Sequence, residues 1–295
     1  MLHVPIRDTG CVPNTLEGLP PDVQPELRRR LPELPWDHVR ETHGAFHHVL
    51  LLPPSAALRV RTGPGHEAAI RREHDTAAAL SAADLPVARP LLDPVHAAEW
   101  SVMVAELVDG HSREPRTWSE DRIGVLTMLE SWAAAVTEHP ELAVSLPSAR
   151  AWCGGDLWPM LVEEMTAADP EVQEGARARM DTVLEFEASA ERSAVHGDLG
   201  MHNILWKRDG AAVLIDTDHA AWADRAIDIA PLLSAYGRDA LAADLPGEVL
   251  NRAAAHRRVL SLQVAAAAEL RGDGKLRDHA LANFALRIRS GDPQW

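Results

Sequence analysis

The chain has 295 residues, enough for one large domain or two lobes with a sizeable buried core. Its 46% hydrophobic and 25% charged residues are ordinary for a globular protein, and a formal net charge of −15 argues against a phosphate-backbone partner and for attraction of a small cation. No apolar run reaches the ~18–20 residues of a membrane span, Met1-Leu-His-Val-Pro5 lacks a signal-peptide layout, and Cys11 and Cys153 have no paired spacing, so the expectation is a cytoplasmic protein with reduced thiols and neither nucleic-acid nor membrane partner.

Residues 1–35 are rich in proline, with one short helix expected over Glu26-Leu-Arg-Arg-Arg-Leu31. From Trp36 to Arg61 the pattern is that of strands: Val39–His43, a turn at Gly44, Phe46–Leu52, a break at Pro53-Pro54, then Ala57–Arg61. A strand, a glycine turn and a second strand can fold over phosphates with backbone N–H groups as donors. Gly63-Pro-Gly-His-Glu-Ala68 fits G-x-G-x-x-A, but Pro64 forfeits an N–H and no strand–helix series follows, so it reads as a plain turn. On a helix over Glu67–Ala83, Ile70, Glu73, Ala77 and Leu80 form one stripe at helical spacing. A carboxylate on a buried stripe needs a partner. Arg59, on the preceding strand, is the expected one, with Arg61 as the alternative.

Leu85-Pro-Val-Ala-Arg-Pro90 ends the helix, and Trp100–Ala105 is a buried-type strand running into a turn at Glu106-Leu-Val-Asp-Gly110. Beyond Gly110 the period becomes helical. Ser119 is placed to cap a helix with Glu120 and Asp121 in its first turn and Ile123, Leu126, Leu129, Ala133 and Val136 as its apolar stripe. Further helices are expected over 157–168, 170–189, 229–242, 246–270 and 275–289, so a strand-rich part precedes a helical part interrupted by one hairpin.

That hairpin carries the chemistry. Ala194-Val-His-Gly-Asp-Leu-Gly-Met-His-Asn-Ile-Leu-Trp206 and Val213-Leu-Ile-Asp-Thr-Asp218 flank Arg208-Asp-Gly210, and Asp-Gly between β-rich runs signals a two-residue turn. With that turn, Asn203 falls opposite Asp216, their Cα atoms ~4.5–5.5 Å apart. An amide oxygen and a carboxylate meeting just downstream of Asp198 suit Mg²⁺ held also by phosphate oxygens. An Asp, four residues, then Asn, with a strand-end Asp downstream, is the spacing of a protein-kinase catalytic loop. On that pattern Asp198 accepts the proton of an attacking hydroxyl, and Asn203 and Asp216 hold metal on nucleotide phosphates.

His196-Gly-Asp-Leu-Gly-x-x-Asn203, Ile215-Asp-Thr217 and Ala223-Asp-Arg-x-x-Asp-Ile-Ala230 resemble the signature of the aminoglycoside phosphotransferase family, more loosely from residue 36 to residue 240. The resemblance implies an α+β, bilobal protein-kinase-like fold: a small antiparallel-sheet N-lobe over 1–104, a hinge at 105–110, and a helical C-lobe over 111–295 with the catalytic hairpin 194–218 and the acceptor site. It implies Asp198 as base, Asn203 and Asp216 as Mg²⁺ ligands, His196 and Asp228 as residues that shape the loop, and ATP or GTP as donor. The nucleotide would be met by Gly44, by main-chain groups of Glu106 and Val108, and by Arg59 clamped by Glu73, where the family usually has Lys for Arg59. Gly44-Ala-Phe-His-His-Val-Leu50, with Ala194–Gly200 and Asn203–Trp206, is similar to the viomycin and capreomycin phosphotransferases, which act on cyclic cationic peptide antibiotics.

Acids of the helical part, Asp156, Glu163, Glu164 and Asp218, are candidates to hold the ammonium groups of such an acceptor. Three other readings stay open: a choline- or sugar-like metabolic kinase, a nucleotide-binding pseudokinase without turnover, and a metal-dependent hydrolase. No G-x-x-x-x-G-K-[ST] loop and no zinc spacing occurs despite 15 His, and His47, His48 and His202 read as surface or loop residues.

Overall fold

The computed structural model describes residues 19–43 and 47–291; Gly44, the expected phosphate turn, lies outside the described residues. The chain divides into two compact units, one formed by residues up to Ile70 with Leu91–Leu107, the other by Arg71–Pro90 and the chain from Val108 onward.

In the first unit α1 (Val23–Arg30) precedes a five-stranded antiparallel sheet, ordered β1-β2-β3-β5-β4. Its strands are β1 (Arg40–His43), β2 (His48–Leu52), β3 (Ala56–Thr62), β4 (Val95–His96) and β5 (Trp100–Glu106). Alternation decides the faces: Leu50 and Leu52, Leu58 and Val60, Val102 and Val104 join Val23, Leu27 and Trp36 in one core. Arg59 and Arg61 therefore share the other face of β3. β5 is buried from Trp100 to Ala105, as its continuous apolar run requires, and Ser101, the polar residue within it, bonds Nδ1 of His66 and of His96, each at 2.7 Å. His47 and His48 are buried, contrary to the expectation of loop residues: His48 opens β2, and His47 Nδ1 accepts from Arg59 Nη2 at 3.2 Å.

α2 (His66–Ala82) starts in the first unit and ends in the second, with Ile70, Glu73, Ala77 and Leu80 all buried, as the spacing predicts. The second unit continues with α3 (Trp118–Glu138), α4 (Leu142–Ser145), α5 (Trp158–Thr166), α6 (Pro170–Ser189), α7 (Ala226–Tyr236), α8 (Arg238–Leu241), α9 (Gly247–Arg271) and α10 (Gly274–Ser290). Between α6 and α7 lie two antiparallel pairs, β6 (Arg192–Val195) with β9 (Ala221–Asp224), and β7 (Ile204–Trp206) with β8 (Ala212–Leu214). The long α9 serves two cores: Leu250 and Ala253 pack with α3, α7 and the β7–β8 hairpin, while Val259, Leu262 and Ala266 pack with α5, α6 and α10. Among the described residues no helix is long and apolar enough to cross a membrane.

Three local expectations are corrected. Thr117, not Ser119, caps α3, and the Glu120 carboxylate accepts from the Thr117 N–H at 3.1 Å and its hydroxyl at 2.6 Å. The buried face of α3 is Trp118, Asp121, Val125, Met128, Trp132 and Ala135; Leu126, Leu129 and Val136 of the expected stripe pack at its edge, while Ala133 is exposed and Ile123 is 73% exposed. Seating two indoles removes more apolar surface than seating one isoleucine, so the helix is rotated towards them. The helix expected over 229–242 breaks into α7 and α8 at Gly237, whose φ of +80° an α-helix cannot accommodate.

Candidate active site

The 194–218 segment is built from the second unit alone. β6 delivers His196, and the chain then turns sharply at Gly197, where φ is +81°. Two bonds close the next turn, Gly200 N–H to the Asp198 carbonyl at 2.8 Å and Asn203 N–H to the Gly200 carbonyl at 2.9 Å. β7 follows, joined to β8 by Arg208-Asp-Gly210 with Gly210 at φ +86°. The expected two-residue turn is thus a three-residue loop: Lys207 N–H reaches the Ala211 carbonyl, and Ile204 pairs with Leu214. This shifts the register by one. Asn203 stands opposite Ile215, whose N–H donates to the Asn203 carbonyl at 3.0 Å, and Asp216 comes one residue later. In an extended strand that slip would send the Asp216 side chain to the face opposite Asn203. Instead, Asp216 leaves the strand in the left-handed region, φ +64°, which breaks the alternation at that residue.

Asp198 and Asn203 meet directly. The Asn203 side chain is buried, and its Nδ2 donates to the Asp198 carbonyl at 2.8 Å and to Asp198 Oδ2 at 3.1 Å. With both amide hydrogens used, Asn203 Oδ1 is the atom left to accept or coordinate. Asp198 itself is 44% exposed, so a second molecule can reach its carboxylate; His202, expected on a surface or loop, is 74% exposed, with Nε2 at 4.0 Å from Asp198 Oδ2.

Buried groups hold this loop. Asp228, on the first turn of α7, accepts from the backbone N–H groups of His196 at 2.7 Å and Gly197 at 2.9 Å. Burial pushes its carboxyl above the usual range, against the pull of His196 and these two donors. The fully buried His196 accepts from the Asp198 N–H at Nδ1, 3.3 Å, so its proton sits on Nε2 and is donated to the Ile215 carbonyl at 2.9 Å. Both ring nitrogens are committed, which leaves His196 no role in proton transfer. Asp224, at the end of β9, accepts from Arg252 at 2.8 and 3.3 Å and from the Ala226 N–H at 3.0 Å. Burial would raise its carboxyl, but His256, Arg252 and that N–H outweigh it and hold it below the usual range.

Sequence reasoning missed a further buried carboxylate, Asp121. Asp121 accepts from Arg113 at 2.6 and 3.2 Å, from the Arg116 N–H and Nε at 2.9 and 3.0 Å, and from the Tyr236 hydroxyl at 2.9 Å. The available signal was helical spacing, Asp121 lying four and seven residues before Val125 and Met128 on the buried face. Burial raises its carboxyl, and the bonds from Arg113, Arg116 and Tyr236 overcome this to bring it to about 2, against an ordinary 3.8. The folded state therefore binds fewer protons here than the unfolded chain, so this group adds ~2 kcal/mol above pH 4, lost as pH falls through 2. Urea denaturation of Asp121→Asn should show a deficit that is constant from pH 7 to pH 5 and narrows below pH 4. A gap independent of pH would remove ionisation from the account.

The remaining candidates are placed as follows. Glu106 closes β5 opposite Ala56, and Val108 is buried with its carbonyl accepting from the Gly110 N–H at 2.9 Å. Glu73 is buried on α2, and one of its carboxylate oxygens lies within 4.8 Å of one from Asp218, in the turn after Asp216. Asp156, Glu163 and Glu164 lie on the surface at and just before α5, with Glu163 paired to Arg177 at 3.1 Å. Glu164 lines a cavity of about 360 Å³ with Glu269, Asp278 and Arg277, whose carboxylates outnumber its one cation. Cys153 is buried, its thiol pushed up to about 12 by burial, which disfavours the nucleophilic thiolate, and Cys11 lies outside the described residues.

Aminoglycoside 2'-phosphotransferase-IIIa in its GDP complex superposes with a TM-score of 0.71 at 12% identity, over 92% of this chain and 98% of that one. A ternary complex of aminoglycoside phosphotransferase APH(4)-Ia with ADP and hygromycin B gives 0.63 at 15% identity, over 92% and 99%. Choline kinase LicA from Streptococcus pneumoniae gives 0.63 at 14% identity, over 91% and 99%. At such identities the likeness establishes the fold: α+β and kinase-like, with an antiparallel-sheet N-terminal part and a helical C-terminal part. No curated protein matches the chain by sequence. The model of the phosphotransferase enzyme family, APH, matches residues 38–271, and the chain belongs to that family.

Proposed function

We propose that this phosphotransferase moves the γ-phosphoryl group of ATP or GTP onto a hydroxyl of a small cationic antibiotic. The observation that carries the reading is the Asp198 carboxylate, accessible to a second molecule and oriented by the buried Asn203 amide. Asp198 accepts the proton of the acceptor hydroxyl as its oxygen attacks phosphorus, and the nucleoside diphosphate leaves on the opposite side. The donor set fits a hard divalent cation: Asn203 Oδ1 has no hydrogen-bonding duty in the loop, and Asp216 adds carboxylate oxygens one residue beyond Asn203's partner. Mg²⁺ held by Asn203 and Asp216 would supply neutralisation of charge on the transferring phosphates. His196 and Asp228 keep the Asp198 backbone in place, while Arg59, Glu73, Gly44, Glu106 and Val108 are assigned to the nucleotide.

Related folds support the nucleotide and the acceptor class, since one solved neighbour holds GDP with kanamycin and another ADP with hygromycin B. Net charge supports a cationic acceptor, an ammonium ~4 Å from a carboxylate gaining about 4 kcal/mol at an effective dielectric of 20 before desolvation. Asp156, Glu163, Glu164 and Asp218 are the proposed anchors. Within the class we favour a tuberactinomycin peptide such as viomycin or capreomycin over an aminoglycoside, with resistance in the cytoplasm as the consequence. The choline kinase neighbour favours, as a second reading, a metabolic kinase of a small cation.

Mass spectrometry after incubation with ATP or GTP, Mg²⁺ and viomycin, capreomycin, kanamycin or choline decides between them. A phosphate increment on one of the antibiotics is expected, with a KM that rises with added salt. An increment on choline alone moves the assignment to metabolism, and diphosphate release without an acceptor marks a hydrolase. Nucleotide binding with no turnover marks a pseudokinase.

A further inference from the structure

The strap that leads into α3, residues 111–117, touches the end of β7. His111 and Trp206 exchange backbone bonds, the Trp206 N–H reaching the His111 carbonyl at 3.0 Å and the His111 N–H the Trp206 carbonyl at 3.2 Å. The Arg113 guanidinium carbon lies over the Trp206 indole, 4.1 Å from its centroid, while its two terminal nitrogens hold Asp121. The indole presses on α3 where Gly124 leaves room, since a Cβ there would stand 2.5 Å from the ring. Tyr236, the last residue of α7, donates its hydroxyl to Asp121 and brings the same oxygen to 3.8 Å from Met201 Sδ. Its ring is held independently, edge-on to Trp118 with centroids 5.1 Å apart.

Met201 and Trp206 bracket Asn203, one two residues before it and one three residues after. Asp121 is thus the common anchor of two contacts that flank the residue orienting Asp198. We infer that Tyr236, Asp121 and Arg113 form a positioning clamp, which fixes the catalytic turn at Met201 and Trp206 so that the Asn203 amide keeps the Asp198 carboxylate aimed at the acceptor. None of the three touches Asp198, so they act through Met201 and Trp206. Asp121 is buried and its carboxylate is already paired with Arg113 and Arg116, while Arg113 and Tyr236 are half-buried, which suits a rigid support more than a ligand site. The inference rests on the role assigned above to Asp198 and Asn203, and its test separates the two.

Tyr236→Phe removes one oxygen and leaves the ring against Trp118. Hydrogen exchange followed by mass spectrometry should show amides of the 198–206 turn exchanging about tenfold faster in the variant, with α9 unchanged. With an accepted substrate, kcat should fall roughly tenfold while KM for nucleotide and acceptor stays within about twofold, because misplacement of an oriented carboxylate acts on the chemical step. Thr117→Ala is the structural control: it weakens the start of α3 without touching the clamp, and should lower the melting temperature but leave both kcat and the turn's exchange unchanged. Unchanged exchange in Tyr236→Phe, or faster exchange with an unchanged kcat, overturns the clamp. Faster exchange in a protein whose wild type phosphorylates nothing keeps the clamp and discards the transfer reading.

Discussion

Asp198→Asn should lower turnover ~10²–10⁴-fold, the range of a lost general base, while affinity for nucleotide should stay within about threefold. The substitution keeps the size and planarity of the side chain and exchanges one oxygen for an amide nitrogen that cannot take a proton. The turn itself depends on backbone groups: the Asp198 carbonyl still accepts from Gly200 N–H and Asn203 Nδ2, and the Asp198 N–H still reaches His196 Nδ1. The defect should therefore appear in the chemical step and not in stability, with a melting temperature near that of wild type. Steady-state kinetics with a phosphorylated acceptor, and titration calorimetry with the nucleotide, measure the two quantities separately. Turnover within threefold of wild type would take the base role away from Asp198.

The contact between Asp198 and Asn203 is local, made between residues five apart in one turn, whereas the sequence pointed to Asp216, across the hairpin, as the carboxylate opposite Asn203. The stripe of α2 was legible because helical spacing is local, and Ile70, Glu73, Ala77 and Leu80 are all buried. What failed was decided at a distance. Asp-Gly signals a hairpin, yet Gly210 alone takes the left-handed position, so the loop has three residues and the Asn203 register moves by one. Ile123 looked like the better core residue of α3, but which face a helix buries is set by its neighbours, and here the hairpin and α7 present room for Trp118 and Trp132. The burial of Asp121 is not legible locally, because its partners lie at Arg113, Arg116 and Tyr236, and the last is more than a hundred residues away. An acid in a helix's first turn needs no such partners to be explained, since the helix dipole accounts for it.

Gly197→Ala should be the most damaging single-methyl change in the loop. A Cβ at this position would stand 2.1 Å from the His219 carbonyl oxygen and 2.8 Å from its carbon, with φ at +81°. The obstruction is backbone, in the turn that follows Asp216, so no rotamer change relieves it. Left-handed strain on alanine costs ~1–2 kcal/mol, and forcing a methyl into a closed space adds ~1–3 kcal/mol. Relief can come only by moving Gly197 away from the 217–219 turn, which pulls its N–H and that of His196 off the Asp228 carboxylate and tilts Asp198 with them. A shift of about 1 Å at a reacting group can cost ~10²-fold in rate, so a turnover loss of about that size should accompany a stability loss of ~3 kcal/mol in urea denaturation. Gly210→Ala separates strain from collision. Its φ of +86° is as unfavourable, but no atom lies within 4 Å of the added Cβ, so it should lose only ~1–2 kcal/mol of stability and keep near-normal turnover. Equal effects from the two alanines would mean that the approach of His219 to Gly197 does not govern the loop.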